Sequence, residues 1–371
     1  MKIDLIKHPQ ILQFDSTFVY LNSHEDYMYR CLNLANLSKS EVFPNPMVGS
    51  LIVDNHKIIG EGYHHTFGAA HAEVNAISSV RDTSVLPQST LYVNLEPCCH
   101  WGKTPPCTDL IIRSGIKHVV IGCLDPNPLV AGRGVKKLEE AGIKVTTKVL
   151  ENECLTFNHR FFKHILQTPT IDFIVKWAES RDGFIGKSQY KSAAEREISN
   201  EISKRWVHKL RSEVDGLMIG TNTALIDDPL LNNRYWFGKT PNIILLDKEL
   251  KIPLTSQLFK SKSKIFILTQ QTQENTENRV FLKLNFEQDT ADFWNQVSRI
   301  LIEQNIFTVL LEGGAFTIQS FLQSKLAAYI YRIRSNKYLE NGIKAPSTNL
   351  SPVDRFELGN NTVELLKKYA I

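Results

Sequence analysis

Glu96-Pro97-Cys98-Cys99-His100-Trp101-Gly102-Lys103-Thr104-Pro105-Pro106-Cys107 is the stretch on which the reading of this chain turns. A cysteine after proline is ordinarily a buried thiol, and a second cysteine after a gap of eight residues adds little by itself. His71-Ala72-Glu73 upstream changes the sense of both. One neutral imidazole (His71) and two thiolates (Cys98, Cys107) are three ligands for Zn²⁺, and they leave the fourth tetrahedral position to water. Glu73 stands two residues from His71 and is free to move protons. Such a set suits hydrolysis of a carbon–nitrogen bond at an amidine-like carbon. A purely structural zinc would take four protein ligands, with Cys99 or His100 as the fourth.

Working outward, Leu91-Tyr92-Val93 reads as the strand that delivers the cysteine loop, with helices expected from about 71 to 77 and near 108–113. Met28, Cys31, Leu32 and Ala35 recur at helical spacing. Leu51-Ile52-Val53 and Ile58-Ile59 flank Asp54-Asn55-His56-Lys57 as a hairpin. Val119-Val120-Ile121 predicts a strand, 135–141 a helix and 145–149 another strand, which together make an α/β layered domain. A helical stretch carrying Phe157, Phe161 and Phe162 leads to a joint at Gln167-Thr168-Pro169-Thr170, after which the alternation restarts. Strands are expected at 171–178 and 217–219 and a helix at 201–211. Short apolar runs at 243–246, 265–268 and 309–311 fit a parallel or mixed sheet buried on both faces. The expected organisation is a 1–23 extension without clear periodicity, a domain over 24–168 and a second over 169–371.

At 371 residues, with 42% hydrophobic and 22% charged residues, the chain is long enough for two globular cores. A net charge of +4 suits an anionic small substrate and is too weak to argue for nucleic acid. Six unevenly spread cysteines do not make a disulfide framework and fit a reducing cytosol. No apolar run reaches the roughly 20 residues a membrane span needs. Residues 11–21 lack the order of a signal peptide, so a cytoplasmic location with no membrane partner is expected.

The general pattern of zinc deaminases places the two cysteines two residues apart, and here the gap is eight. The stretch Glu96 to Cys107 resembles the zinc loop of the bifunctional riboflavin-biosynthesis deaminase–reductase family. Pro44-Asn45-Pro46-Met47-Val48-Gly49, His71-Ala72-Glu73 and Asp125-Pro126-Asn127-Pro128 running into Ala131-Gly132-Arg133-Gly134 resemble it too, in the same order. The resemblance implies a cytidine-deaminase-like α/β/α sandwich in which His71, Cys98 and Cys107 bind zinc and Glu73 relays the proton. Its substrate class is a pyrimidine ribose phosphate, attacked at the carbon bearing a 2-amino group. Asn45 can offer a donor and an acceptor to the pyrimidine edge, or serve only as a turn between prolines. Lys103 is a phosphate candidate, with a solvated loop lysine as the alternative. Asp125 and Asn127 are candidates for the ribose hydroxyls, with an Asx turn as the competing role. His64 is a further substrate candidate, although His65 stands beside it.

In the second half no Gly-x-Gly-x-x-Gly follows a strand. Val309-Leu310-Leu311-Glu312-Gly313-Gly314-Ala315 is instead a buried strand breaking into glycines before a helix, a turn that can expose N–H groups to phosphate. Lys176-Trp177-Ala178, Ser180-Arg181-Asp182-Gly183, Leu210-Arg211-Ser212, Gly220-Thr221-Asn222-Thr223 and Asp227-Asp228-Pro229 resemble the family's reductase domain. That resemblance implies a dihydrofolate-reductase-like α/β fold using NADPH. Ala178, Thr223, Asp227 and the turn of Gly314, Ala315, Phe316, Thr317, Ile318, Gln319 and Ser320 would face the cofactor. Arg211, Leu231, Arg234 and Glu312 would face the phosphorylated sugar; Arg234 has a surface role as its alternative. A homo-oligomer is expected.

Two stretches depart from the family. The Ser-Gln-Trp segment usual before the long helix falls on Glu195-Arg196-Glu197 in one register and on Ser188-Gln189-Tyr190 in another. Arg332-Ile333-Arg334 stands where an apolar strand is expected. The reading is therefore a bifunctional enzyme: zinc-dependent deamination of a diamino-ribosylamino-pyrimidinone phosphate, then NADPH-dependent reduction of its ribose to a ribityl chain. An active deaminase beside a reductase that has lost catalysis, and a deaminase of nucleic-acid bases, are the alternatives. The second predicts a short Cys-x-x-Cys gap and a basic aromatic groove that the sequence lacks.

Overall fold

The computed structural model describes residues 23–38, 42, 44–101, 105–126, 131–166, 170–187, 197–324 and 326–367, with 160 and 164 as backbone only. Residues 1–22, Lys103, Asn127 and the segment 188–196, on which the two alternative registers turn, lie outside the described residues. The chain divides into two compact units, Met1–Pro169 and Thr170–Ile371.

In the first unit, β1 (Gly49–Asp54), β2 (Lys57–Tyr63), β3 (Thr90–Leu95), β4 (His118–Cys123) and β5 (Lys144–Thr146) form one sheet in the order β2-β1-β3-β4-β5. The hairpin β1–β2 turns on Asn55 and His56, both at positive φ (45° and 60°), as a two-residue primed turn requires. β3, β4 and β5 run parallel. Helix α1 (His24–Ala35) starts in a capping box, Ser23 accepting from the Asp26 N–H and Asp26 from the Ser23 N–H. Its Cys31 carbonyl lies so close to Gly49 that a Cβ there would come within 2.1 Å. Gly62 meets α2 (Ala72–Ser78) in the same way, at Ala76 N and Ala72 O. Gly62 pairs with Ser50, the neighbour of Gly49, and adjacent strand residues point to opposite faces, so α1 and α2 cover opposite sides of the sheet. The result is an α/β/α sandwich completed by α3 (Cys107–Arg113), α4 (Arg133–Glu140), α5 (Glu151–Phe157) and α6 (His159–Ile165). The strand expected over 145–149 is shorter, because the chain leaves the sheet after Thr146. The phenylalanine-bearing helix is two helices, broken at Asn158.

The second unit is built on a nine-stranded sheet: β6 (Asp172–Glu179), β8 (Gly216–Gly220), β9 (Asn242–Leu246), β10 (Ile265–Thr269), β11 (Arg279–Lys283), β12 (Thr308–Leu311), β13 (Ala328–Arg334), β15 (Pro352–Leu358) and β16 (Asn361–Lys367). Their order is β11-β10-β9-β8-β12-β6-β13-β16-β15. The pairs from β11 to β13 are parallel, and β16 and β15 close the edge antiparallel. A separate ribbon pairs β7 (Phe184–Gly186) with β14 (Ile343–Lys344). The continuous apolar runs bury both faces: Met218, Ile244 and Phe266 point to one core, Leu217, Ile243 and Ile265 to the other. Trp294 of α9 (Thr290–Glu303) and Phe321 of α10 (Ala315–Gln323) fill the first core, and Val207 and Leu210 of α7 (Glu201–Ser212) the second. α8 (Thr221–Asp227) follows β8 directly.

Arg332-Ile333-Arg334 does form the strand that its charges argued against. Ile333 is buried, while the guanidiniums of Arg332 (2.7 Å) and Arg334 (3.1 Å) lie against the buried carboxyls of Glu364 and Glu179. Arginines on one face of a strand are compatible with a sheet when the neighbouring strands supply the counter-charges.

Candidate metal centre and the cavity of the second unit

His71 is the N-cap of α2, in extended backbone (φ −71°, ψ 163°), which puts Glu73 in the first helical turn. β3 runs out through Glu96 and Pro97 into Cys98, and Pro106 is the N-cap that places Cys107 at the start of α3. The ligand atoms of His71, Cys98 and Cys107 all lie within 4.8 Å of one another. His71 Nδ1 is 3.3 Å from Cys107 Sγ and 3.5 Å from Cys98 Sγ. A tetrahedral zinc with ordinary Zn–S and Zn–N bonds has an S···N edge of about 3.6 Å, so the spacing fits. Among the described residues only these three make such a group; neither Cys99 nor His100 joins it. Three ligands and an open position are the arrangement of a catalytic rather than a structural zinc.

The charges point the same way. A hydrogen bond from the Cys107 thiol, opposed by burial and helped by His71, holds Cys98 down to about 4. The same bond pushes Cys107 far up, with burial adding to it. The Cys107 N–H also donates to Cys98 Sγ at 3.3 Å. Cys98 is thereby the thiolate of the pair and Cys107 its thiol donor; giving up that proton to a metal would leave two thiolates and an imidazole, the donor set zinc prefers. Burial raises the Glu73 carboxyl to about 7; the Cys98 charge adds to the rise and His71 opposes it. A carboxyl poised near neutrality can both take and give a proton.

Around this centre lies a cavity of about 420 Å³, lined by Asn45, His64, Glu73, Asp125 and the apolar Phe67, Phe161 and Ile165, among others. His64 is buried, and its Nδ1–H donates to the Ala70 carbonyl at 3.0 Å. That fixes Nε2 as the acceptor for Asn45 Nδ2–H, also at 3.0 Å, and leaves the Asn45 carbonyl oxygen for other partners. His65 is exposed and stacks on Tyr63 at 4.0 Å, outside the site. The Asn45 turn is held from behind by two buried amides. Asn94 donates to the Met47 carbonyl (3.1 Å) and accepts from the Gly49 N–H (2.8 Å), while Asn158 pairs with both the N–H and the C=O of Met47 at 2.9 Å. Asn158, in the break between α5 and α6, supports the Asn45 turn from outside the cavity lining, and sequence reading passes over it because the stretch reads as one helix.

In the second unit a cavity of about 810 Å³ opens at the carboxyl ends of β6, β8, β9 and β12. Ligands of open parallel sheets bind there. Ala178, Thr223, Asp227, Leu231, Arg211 and Glu312 line it, as do Gly314, Ala315, Phe316, Thr317 and Ser320. Ile318 is instead fully buried in the core, and Gln319 accepts from the Ser347 N–H at 2.8 Å. Arg234 is exposed and outside the lining, bonded to Asn232 (2.9 Å) and set over the Tyr235 ring (4.8 Å). Glu312 is occupied on both oxygens: Arg211 binds it bidentately (2.9 and 2.9 Å) and Lys176 at 3.0 Å. Burial pushes the Glu312 carboxyl up, but the charges of Arg211 and Lys176 outweigh it and hold the group well below the ordinary carboxylate range. Lys176, absent from the sequence-based candidates, thus lines the cavity in a cluster with two cations and one anion. The helices α8 and α10 begin at Gly220 and Gly314 with no side-chain cap, so their first N–H groups are open to phosphate oxygens. A Cβ at Gly220 would fall 2.5 Å from Thr317 Oγ1, and one at Gly314 would fall 2.9 Å from Thr223 Oγ1. The glycines let the two helix starts sit side by side, an arrangement that fits the phosphates of a dinucleotide.

Comparison with known proteins covers both units. Residues 21–123 match the cytidine and deoxycytidylate deaminase zinc-binding region, and residues 172–330 match the RibD C-terminal domain. A riboflavin biosynthesis protein RibD from Aquifex aeolicus is 35% identical over 363 residues, covering 93% of this chain and 98% of its own. One from Actinobacillus pleuropneumoniae is 37% identical over 317 residues, 82% of each. Among solved structures, a diaminohydroxyphosphoribosylaminopyrimidine deaminase/5-amino-6-(5-phosphoribosylamino)uracil reductase from Thermotoga maritima superposes with a TM-score of 0.79 at 31% identity. It covers 93% of this chain and 98% of its own.

Proposed function

The chain belongs to the RibD family of riboflavin-biosynthesis proteins, a deaminase joined to a reductase, and from that premise we propose which residues carry out each reaction. The observation that carries the first is the convergence of His71, Cys98 and Cys107 beside the buried carboxyl of Glu73. When bound by these three ligands, zinc supplies an acidified water as nucleophile. Glu73 takes the proton of that water and hands it to the departing 2-amino group, so that ammonia leaves and the ring carbon becomes a carbonyl. Asn45, its amide orientation set by neutral His64, meets the pyrimidine edge through its free carbonyl oxygen. Burial lowers the His64 imidazole, which keeps it neutral for this role. Asp125 holds the ribose; Lys103 and Asn127 remain assigned to the phosphate and the ribose on their sequence context.

In the second unit NADPH, when bound, supplies the hydride. Thr223, Asp227 and the starts of α8 and α10 hold the cofactor, while Ala178 and Leu231 shape the cavity between it and the sugar. Arg211 and Lys176, both paired with Glu312, give that cavity a net positive wall for a phosphorylated ribose. Glu312 acts here by holding the two cations rather than by touching the sugar. We place the enzyme in the cytoplasm as a homo-oligomer; no described helix is long and apolar enough to cross a membrane. The test is the purified protein with the 2,5-diamino-6-(5-phosphoribosylamino)pyrimidin-4(3H)-one substrate, with ammonia and NADPH followed separately. Ammonia release followed by NADPH oxidation is expected. Ammonia without NADPH oxidation would leave only the deaminase.

A further inference from the structure

Glu96 is buried in the lining of the deaminase cavity, yet it is no member of the metal-binding group, and its side chain points to a different task. Four backbone N–H groups occupy its two carboxyl oxygens. Oε1 accepts from Gly134 (2.8 Å) and Val135 (3.2 Å); Oε2 accepts from Gly132 (3.0 Å) and Asp125 (3.2 Å). Gly132 is the N-cap of α4, at φ 74° and with no side chain to cap the helix, so Glu96 caps α4 from another element. Its reach to the Asp125 N–H ties the exit of β4 to the same point. On its other side Glu96 is joined through Pro97 to Cys98. The β3–β4 pairing brings the two strand exits together, with the Glu96 N–H on the Cys123 carbonyl at 3.0 Å, and the Glu96 carboxyl extends that link to Asp125, the residue assigned to the ribose, and to α4.

We propose that Glu96 is a positioning residue of the deaminase, clamping the Asp125 segment and the start of α4 to the metal loop so that the ribose end of the substrate is held in register with the reacting carbon. This rests on the deaminase reading given above. A helix cap alone would need one or two of the N–H groups; the bond to Asp125 has no part in capping. The packing leaves no slack: a Cβ at Gly134 would lie 2.4 Å from the Pro97 carbonyl oxygen and 3.0 Å from Glu96 Oε1.

Glu96→Gln in the full-length chain keeps the shape but turns an NH₂ toward one of the two donor pairs. Ammonia release by this variant should show KM raised roughly ten-fold with kcat within about three-fold, the signature of lost binding shared by ground and transition states. Zinc content should stay at the wild-type level. Asp125→Ala should raise KM alone, and added to Glu96→Gln it should raise KM little further, because the two act in series. An unchanged KM, a loss confined to kcat, or KM effects that multiply in the double variant would each overturn the proposal. If Glu96→Gln does not fold, Gly134→Ala opens the clamp from the other side with Glu96 intact. The same rise in KM is then expected, and an unmoved KM overturns the clamp. Wild-type ammonia release separates the two levels: its absence sinks the deaminase reading, its presence with unmoved variants sinks only the clamp.

Discussion

Glu73 and Glu312 are both buried carboxyls, and their surroundings drive them in opposite directions. Glu73 faces a thiolate and one imidazole, and burial carries it up to about 7. Glu312 faces two cations that more than offset burial. Glu73→Gln removes the proton carrier but none of the three metal ligands, so it should retain zinc while ammonia release falls by at least about 100-fold. Metal analysis beside an ammonia assay checks this, and retained turnover would remove Glu73 from its role. Glu312→Gln leaves Arg211 and Lys176 buried without a counter-charge and should cost about 3–5 kcal/mol in the second unit. The pH dependence follows from the sign of the shift. A carboxyl whose folded value is depressed contributes stability above its unfolded value, about 4.3 for Glu, and loses it as pH falls through the folded one. The wild type should therefore lose stability below about pH 4 more steeply than Glu312→Gln, which has no such proton to bind. Parallel acid limbs in thermal melts would contradict that. Sequence made the residue types at 71, 73, 98 and 107 legible because their chemistry is local to short motifs. It could not show that Lys176 sits on Glu312, 136 positions away.

At the scale of the element, the hairpin at Asn55-His56 was legible in outline from the apolar runs on either side of it. What the runs do not reveal is that a histidine occupies a left-handed position, φ 60°. A side chain there costs about 1–2 kcal/mol relative to glycine, partly returned through glycine's larger unfolded-state entropy. His56→Gly should thus stabilise the first unit by about 0.5–1 kcal/mol. The bond from Tyr27 Oη to the His56 carbonyl survives, since it uses only backbone. A lower urea midpoint for this variant would show that the imidazole carries a contact worth more than the strain. The β13 strand failed in the other direction. Arg332 and Arg334 read as a break in an apolar pattern because their partners Glu179 and Glu364 belong to other strands. Periodicity reports which face is apolar; it does not report which charges will be neutralised by a neighbour far along the chain.

The two cavities described above have no lining residue in common, one drawn from residues 45–165 and the other from 176–343. His71 and Cys98 line the first, with Cys107 grouped beside them, and the cluster of Arg211, Lys176 and Glu312 lines the second. Removing the metal should therefore separate the two reactions rather than weaken both. After treatment with a zinc chelator, ammonia release should disappear, and the thermal transition of the first unit should fall, because a ligand that binds only the folded state stabilises it. NADPH oxidation with the already deaminated ribosyl compound as substrate should continue at the rate of the untreated protein. Adding zinc back should restore ammonia release in step with metal content. If NADPH oxidation instead fell in proportion to the metal removed, the second pocket would depend on the first, and the assignment of each reaction to its own set of residues would be wrong.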